Sequence, residues 1–221
     1  MKDTVEEQAA ATSINVSPTG RLGLFPVPVF MYNFGRDLTE EEMSFVLSCK
    51  EDPQPNMGNI TSKDHYVLNV PVMKDVRYFI EGCMNSYFLE VYSPPEDTKL
   101  RITQSWLNYS DKGQFHHLHA HPNSLISGVF YPSTTENDKI YFHSPITWKQ
   151  LSITPMSFNP YNSQTWWIPA EKNSLVLFPS SLQHNVNTVE SETTRISLSF
   201  NTFPTGHIGD EPNLTGVYLG Q

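Results

Sequence analysis

The sequence predicts a mainly β fold, a sheet sandwich or barrel with helices packed on its outside. From Leu100 onward, short runs of β-branched and aromatic residues alternate with turn residues such as Asp111-Lys112-Gly113 and Pro132-Ser133. Before Leu100, two segments carry helical periodicity instead. Helices followed by a run of strands fit helices covering a sheet, not an alternating α/β fold.

The elements follow in chain order. Residues 1–20 are polar and small, and are expected to form a flexible N-terminal segment. Leu24-Phe25-Pro26-Val27-Pro28-Val29-Phe30 is the first apolar run, and its prolines suit an edge strand because proline cannot donate to a ladder. Thr39 is placed as a helix N-cap, with Glu42 closing a capping box and Leu38 and Met43 spaced as a hydrophobic staple. Phe45, Val46 and Cys49 continue that helix's buried stripe. A second helix is expected from about Val72 to Val91, because Val76, Phe79, Ile80, Cys83, Met84, Tyr87 and Phe88 recur at three- and four-residue intervals. These aromatics and methionine are read as core. Strands are expected over 100–109, 124–131, 138–142, 150–154, 174–178 and 194–202, with no internal repeat.

Bulk properties narrow the function. A chain of 221 residues suits one domain with a helical extension. With 12% aromatic and 17% charged residues it can bury a core and is not a disordered acidic chain. A net charge of -9 without a Lys/Arg cluster argues against nucleic acid as a general partner. Cys49 and Cys83 lack metal spacing and are read as buried free thiols in helices. The opening MKDTVEEQAAATS has no apolar signal core, and no run approaches a membrane span. A soluble cytoplasmic chain with no membrane partner is expected, in host cytoplasm if phage-encoded.

Chemistry concentrates in the histidines. His116, His117, His119 and His121 lie within six residues, half of the eight in the chain. In extended backbone, residues two apart share a face, which places His117, His119 and His121 together and His116 opposite. An i, i+2 pair plus one residue from a distant strand makes a facial metal site with open positions. Imidazole suits iron, zinc, copper and nickel alike, and a solvated histidine patch would read the same way. In a second block, the apolar run Ser174-Leu175-Val176-Leu177-Phe178-Pro179 leads to His184. Beyond it Arg195, Ser197 and Ser199 alternate with Ile196, Leu198 and Phe200. A guanidinium beside a hydroxyl is what a buried carboxylate site needs, although a half-exposed strand gives the same pattern.

Taken together these pieces resemble the 2-oxoglutarate/Fe(II)-dependent oxygenase superfamily, and more closely a branch of oxygenases from marine bacteria and phages. The resemblance covers about residues 23–219. It rests on Leu24-Phe25-Pro26-Val27-Pro28-Val29, Ser105-Trp106-Leu107-Asn108, His119-Ala120-His121-Pro122-Asn123-Ser124, Ser127-Gly128-Val129-Phe130-Tyr131, Leu177-Phe178-Pro179-Ser180, His184, Arg195-Ile196-Ser197 and Phe200-Asn201-Thr202-Phe203. It implies a double-stranded β-helix, or jelly roll, with N-terminal flanking helices. It also implies one oxygenase domain over 21–221, with helical support at about 38–93 and a jelly-roll core at about 100–203. By the same resemblance, Fe(II) is held by His119, His121 and His184, and 2-oxoglutarate is bound as cosubstrate at Arg195 and Ser197. The implied activity is a dioxygenase that couples oxidative decarboxylation of 2-oxoglutarate to hydroxylation of a small molecule or peptide side chain. Trp106, Asn108 and Tyr131 are pocket candidates, with strand core as the alternative. Trp166-Trp167 and the Pro155–Asn162 loop read as a lid or a barrel cap.

His121 departs from the superfamily, which places a carboxylate there. Spacing alone leaves His117/His119 and His119/His121 both open, and the resemblance selects the second. Two other functions also fit the residues: a three-histidine cupin-type dioxygenase that needs no 2-oxoglutarate, and a non-catalytic metal-binding jelly roll.

Overall fold

The local signals at the N-terminal helix are met in full. In the computed structural model, which describes Gly20, residues 23–146, Leu151 and residues 153–220, the Glu42 backbone N–H donates to Thr39 Oγ1 at 3.2 Å. The Thr39 N–H donates to Glu42 Oε2 at 2.7 Å. This reciprocal pair satisfies two otherwise orphaned donors, and α1 (Glu40–Ser48) begins there, with Cys49 as its C-cap. Leu38 and Met43 both pack on the core. The second helix, α2 (Lys74–Tyr92), buries Val76, Ile80, Cys83, Met84, Tyr87 and Phe88 along one face. Val72 lies just ahead of it in a 3-10 turn, Pro71–Met73, and Ser93 ends it in the left-handed region at φ 43. The flexible segment expected over residues 1–20 lies, apart from Gly20, outside the described residues. Among the described residues no helix is long and apolar enough to cross a membrane.

The strands are β1 (Phe30–Asn33), β2 (Pro53–Pro55), β3 (Ile60–Ser62), β4 (Lys99–Ser110), β5 (His116–His119) and β6 (Ile126–Ser133). They continue with β7 (Lys139–His143), β8 (Thr165–Pro169), β9 (Ser174–Pro179), β10 (His184–Val186), β11 (Arg195–Ile208) and β12 (Val217–Leu219). An eight-stranded sheet has the order β1-β9-β6-β11-β4-β3-β2, with β12 on β11, and a four-stranded sheet has the order β5-β10-β7-β8. All named pairs are antiparallel. From β4 to β11 the chain crosses repeatedly between the two sheets, which is the winding of a jelly roll. An edge strand does form, but as β1 over Phe30–Asn33; of the expected run Leu24–Phe30 only Phe30 joins the sheet, and Pro26 and Pro28 lie ahead of the ladder, where no backbone N–H is needed.

One expected strand does not form. Over 150–154 the described residues Leu151, Ile153 and Thr154 are outside any strand, and Leu151 and Ile153 are 80% and 81% exposed. β7 pairs instead with β8, where Ile168 faces Ile140 and Trp166 faces Phe142. The Leu-Ser-Ile-Thr alternation has the right period, but Thr165–Pro169 is the segment that meets the apolar face of β7.

The large sheet separates two cores. Its outer face carries Leu107, Tyr109, Phe130, Leu175, Leu177, Ile196, Leu198 and Phe200, which pack against α1 and α2. Its inner face carries Val129, Tyr131, Val176 and Phe178, which meet Ile140 and Phe142 of the small sheet. Alternation along each strand sorts these sets. The outer core has one very tight point: a Cβ on Gly128 would lie 2.2 Å from the Phe200 ring and 2.7 Å from Leu177. Gly128→Ala is therefore expected to destabilise the fold by about 1–3 kcal/mol, the usual cost of overpacking, measured by denaturant unfolding.

Candidate metal centre

β5 and β10 are hydrogen-bonded neighbours in the small sheet, and His119 faces His184 across the pair. His121 follows β5 by two residues, and its N–H donates to Ser180 O at 2.9 Å, tying the end of that strand to the turn before β10. The three side chains meet as a result. One ring nitrogen from each of His119, His121 and His184 lies within 4.8 Å of the others.

Two of these rings are oriented from behind. His119 Nδ1 is 2.8 Å from His117 O, and His184 Nδ1 is 2.9 Å from Leu182 O. A carbonyl accepts only from an N–H, so Nδ1 carries the proton in both and Nε2 keeps its lone pair. A metal-ligating histidine commonly donates its other nitrogen in this way. His121 Nε2 sits 3.4 Å from His184 Nε2.

His116, His117 and His119 also come within 4.8 Å of one another. The His116 and His119 rings, however, are stacked, with centroids 4.5 Å apart and planes at 18°. In the other group the His119 ring meets His121 at 80° and His184 at 53°, while His121 and His184 stack at 28°. Burial separates the two groups: His184 is buried, and no member of the His116/His117/His119 group is. His116 also departs from simple alternation, which places it opposite His119. Register along β10 shifts from His184↔His119 to Val186↔His116, so the four residues 116–119 of β5 oppose the three residues 184–186 of β10. This bulge turns His116 onto the His119 side.

Burial controls the protonation of the cluster. His184 is 4% exposed. Its pKa is lowered to about 3, by desolvation first and then by the neighbouring His119. His121 is lowered to about 4 for the same two reasons, and His119 is lowered chiefly by desolvation. The imidazoles are thus neutral, the form that binds a metal, well below neutral pH. In the metal-free protein this has a stability cost in acid. The unfolded chain takes up protons near pH 6.5 and the fold does not, so stability is full above that pH and falls as pH drops toward about 3–4. We expect the metal-free unfolding midpoint to decline across this window, and the decline to flatten when His121 and His184 are both replaced by leucine.

A second buried polar group lies on the inner face of the large sheet. In the β11–β4 register Arg195 faces Ser110, Ser197 faces Asn108 and Ser199 faces Trp106, so all six share that face. Asn108 Nδ2 donates to Ser199 Oγ at 2.9 Å, and Trp106 Nε1 donates to Asn108 Oδ1 at 3.3 Å. The Trp106 ring lies 5.8 Å from that of His121. Trp106 and Asn108 thus connect the histidines to Ser197 and Arg195.

Arg195 is 3% exposed, and its guanidinium carbon sits 5.3 Å from the centre of the Tyr131 ring. Arg195 Nε lies 2.8 Å from both carboxylate oxygens of Asp138. Sequence reasoning missed Asp138. The two residues are 57 apart in the chain, and nothing local around Asn137-Asp138 signals a buried partner. Arg195 Nη1 reaches Ser197 Oγ at 3.4 Å, a long contact. The Tyr131 hydroxyl is fully buried, has the Arg195 guanidinium as its polar neighbour, and makes no hydrogen bond of good geometry with it.

The barrel thus carries a three-histidine cluster connected to a buried arginine. Residues 104–201, a segment that contains His119, His121, His184, Arg195 and Ser197, match the family described as "Putative 2OG-Fe(II) oxygenase". No curated protein matches the sequence. HygX from Streptomyces hygroscopicus, solved with nickel, 2-oxoglutarate and hygromycin B, is 12% identical with a TM-score of 0.56, over 88% of this chain and 92% of that one. A Trichoplax adhaerens prolyl hydroxylase, in complex with a hypoxia inducible factor peptide fragment, is 11% identical with a TM-score of 0.55, over 79% and 83%. An oxidoreductase of the 2OG-Fe(II) oxygenase family from Burkholderia pseudomallei is 13% identical with a TM-score of 0.51, over 79% and 84%. At these identities the likeness is one of fold.

Proposed function

We propose that the protein is an Fe(II)- and 2-oxoglutarate-dependent oxygenase that hydroxylates a small molecule or a peptide side chain. His119, His121 and His184 would hold the metal, and Arg195 with Ser197 would hold the cosubstrate. The observation that carries this reading is the buried Tyr131 hydroxyl, which lies beside the Arg195 guanidinium and makes no hydrogen bond of good geometry within the protein. Leaving a buried hydroxyl unpaired costs on the order of 1–3 kcal/mol. A carboxylate between Tyr131, Arg195 Nη1 and Nη2, and Ser197 Oγ would accept from all of them. Three neutral imidazoles suit Fe(II), so both donor sets fit the groups assigned to them.

Bound iron and 2-oxoglutarate together supply oxygen activation and decarboxylation. The chain's own residues bind and orient. The His117 and Leu182 carbonyls fix the proton on Nδ1 of His119 and His184 and leave Nε2 for the metal. Phe178 packs on the His184 ring at 4.7 Å and, with Phe142, keeps water from that side. For the substrate, the observation to build on is the connection between β7 and β8. It leaves at His143, next to the residue that faces His184, and Ser144 N–H donates to Gln164 O at its base. It borders a groove of about 810 Å³ lined by Ile153, Pro155, Phe158, Tyr161 and Trp166. A connection of this length beside a site is typically functional, and the groove is our candidate for substrate contact.

The test is spectroscopic. Anaerobic addition of 2-oxoglutarate to the iron-loaded protein should produce a visible metal-to-ligand charge-transfer band. A three-histidine dioxygenase without cosubstrate would bind iron and show no band, and that outcome would overturn the proposal.

A further inference from the structure

The barrel interior holds one acid that the proposed metal and cosubstrate chemistry does not use. Among the described residues, the buried carboxylates are Glu42 and Asp138. Glu42 is accounted for at the start of α1, where it closes the cap and pairs with Arg36. Asp138 stands at the head of β7, its side chain 2% exposed, with both oxygens on Arg195 Nε. An Arg–carboxylate pair of highest affinity is a fork, with two nitrogens meeting two oxygens. Here one nitrogen takes both oxygens, and the Nη edge stays open toward Tyr131 and Ser197.

The charges give this arrangement a purpose. A divalent ion held by three imidazoles keeps its full charge, whereas one carboxylate ligand would halve it. With a dianionic cosubstrate and Arg195 in place, a site with a carboxylate ligand is neutral. With His121 in that position the same site carries one surplus positive charge. Asp138 removes it. We propose that Asp138 is a positioning residue and resident counter-ion for Arg195. It holds the Nε edge so that the Nη edge faces the cosubstrate, and it supplies, at the far end of the pocket, the negative charge that His121 does not supply at the metal. The inference rests on the reading of Arg195 as the cosubstrate anchor.

A counter-ion of this kind competes with the ligand's charge, so its removal has an unusual sign. Asp138→Asn keeps an acceptor for Nε but leaves a buried cation uncompensated. The unliganded protein should lose stability, and an anionic ligand should bind more tightly, by about tenfold or more for one unit charge acting within protein. His121→Asp adds the charge back at the other end. Alone it should weaken 2-oxoglutarate binding several-fold, and in the Asp138→Asn background it should return affinity to near the wild-type value. A residue with a merely structural role would weaken binding and would not respond to His121.

The experiment is calorimetric titration of 2-oxoglutarate into Mn(II)-loaded protein for the wild type, the two single variants and the double variant, with unfolding midpoints measured with and without ligand. Tighter binding in Asp138→Asn, reversed in the double variant, supports the proposal. Should Asp138→Asn not fold, Asp138→Ser, which also removes the charge and keeps an acceptor, carries the same test. Wild-type binding with equal or weaker affinity in Asp138→Asn, or with no effect of His121→Asp, overturns the counter-ion role and leaves the oxygenase reading intact. No binding to the wild type overturns both.

Discussion

Alanine at His184 is expected to abolish binding of Fe(II) or Mn(II), and alanine at His119 to do the same. On the proposed assignment each would supply one of three protein nitrogens, and two histidines would leave too few ligands for a stable site. The effect should be all or none at micromolar protein, read by anaerobic titration calorimetry. His184 also packs against Phe142 and Phe178, so its truncation leaves a gap, and far-ultraviolet circular dichroism must show that the variant is folded. His117→Ala is the control. Its ring belongs to the other group, none of whose members is buried, so the variant should bind metal as the wild type does. Unchanged affinity in His184→Ala, or loss in His117→Ala, would contradict the assignment.

Arg195→Ala should keep the metal and lose 2-oxoglutarate. Truncating one partner of a buried, hydrogen-bonded charge pair typically costs about 2–5 kcal/mol of binding. The Asp138 pairing adds a second effect. The same substitution strands a buried carboxylate, which costs the fold about 3–5 kcal/mol. Arg195→Ala combined with Asp138→Asn removes both charges and should recover stability without recovering cosubstrate affinity. Titration of 2-oxoglutarate into the Mn(II)-loaded double variant measures this directly. Binding at the wild-type level would show that Arg195 serves only to pair with Asp138.

Parts of the site were legible in the chain because they depend on neighbours a few residues away. Thr39 and Glu42 make a capping box by spacing alone, and the α2 stripe follows from 3.6-residue periodicity. That residues two apart share a face of extended chain groups His117, His119 and His121, and Arg195 with Ser197, but it leaves the metal pair open, and only the family resemblance selects His119 with His121. Along β11 that alternation holds, with Arg195, Ser197 and Ser199 turned inward and Ile196, Leu198 and Phe200 turned to the helices. The same rule failed for His116. A bulge is a property of two paired strands, and its partner, β10, lies far along the chain.

Tertiary structure decided the rest, for one physical reason. Cross-strand register, ring convergence and buried ion pairs are settled by which distant segments meet and by what each must bury. β8, and not 150–154, pairs with β7, because its apolar positions match Ile140 and Phe142. Asp138 finds Arg195 because a buried guanidinium needs an anion, and the barrel brings β7 and β11 close enough to provide one. The sequence by itself determined the helices and a mainly β sandwich or barrel, and offered the histidines and Arg195 as candidates. Only the folded barrel determined which histidines converge and which carboxylate neutralises the arginine.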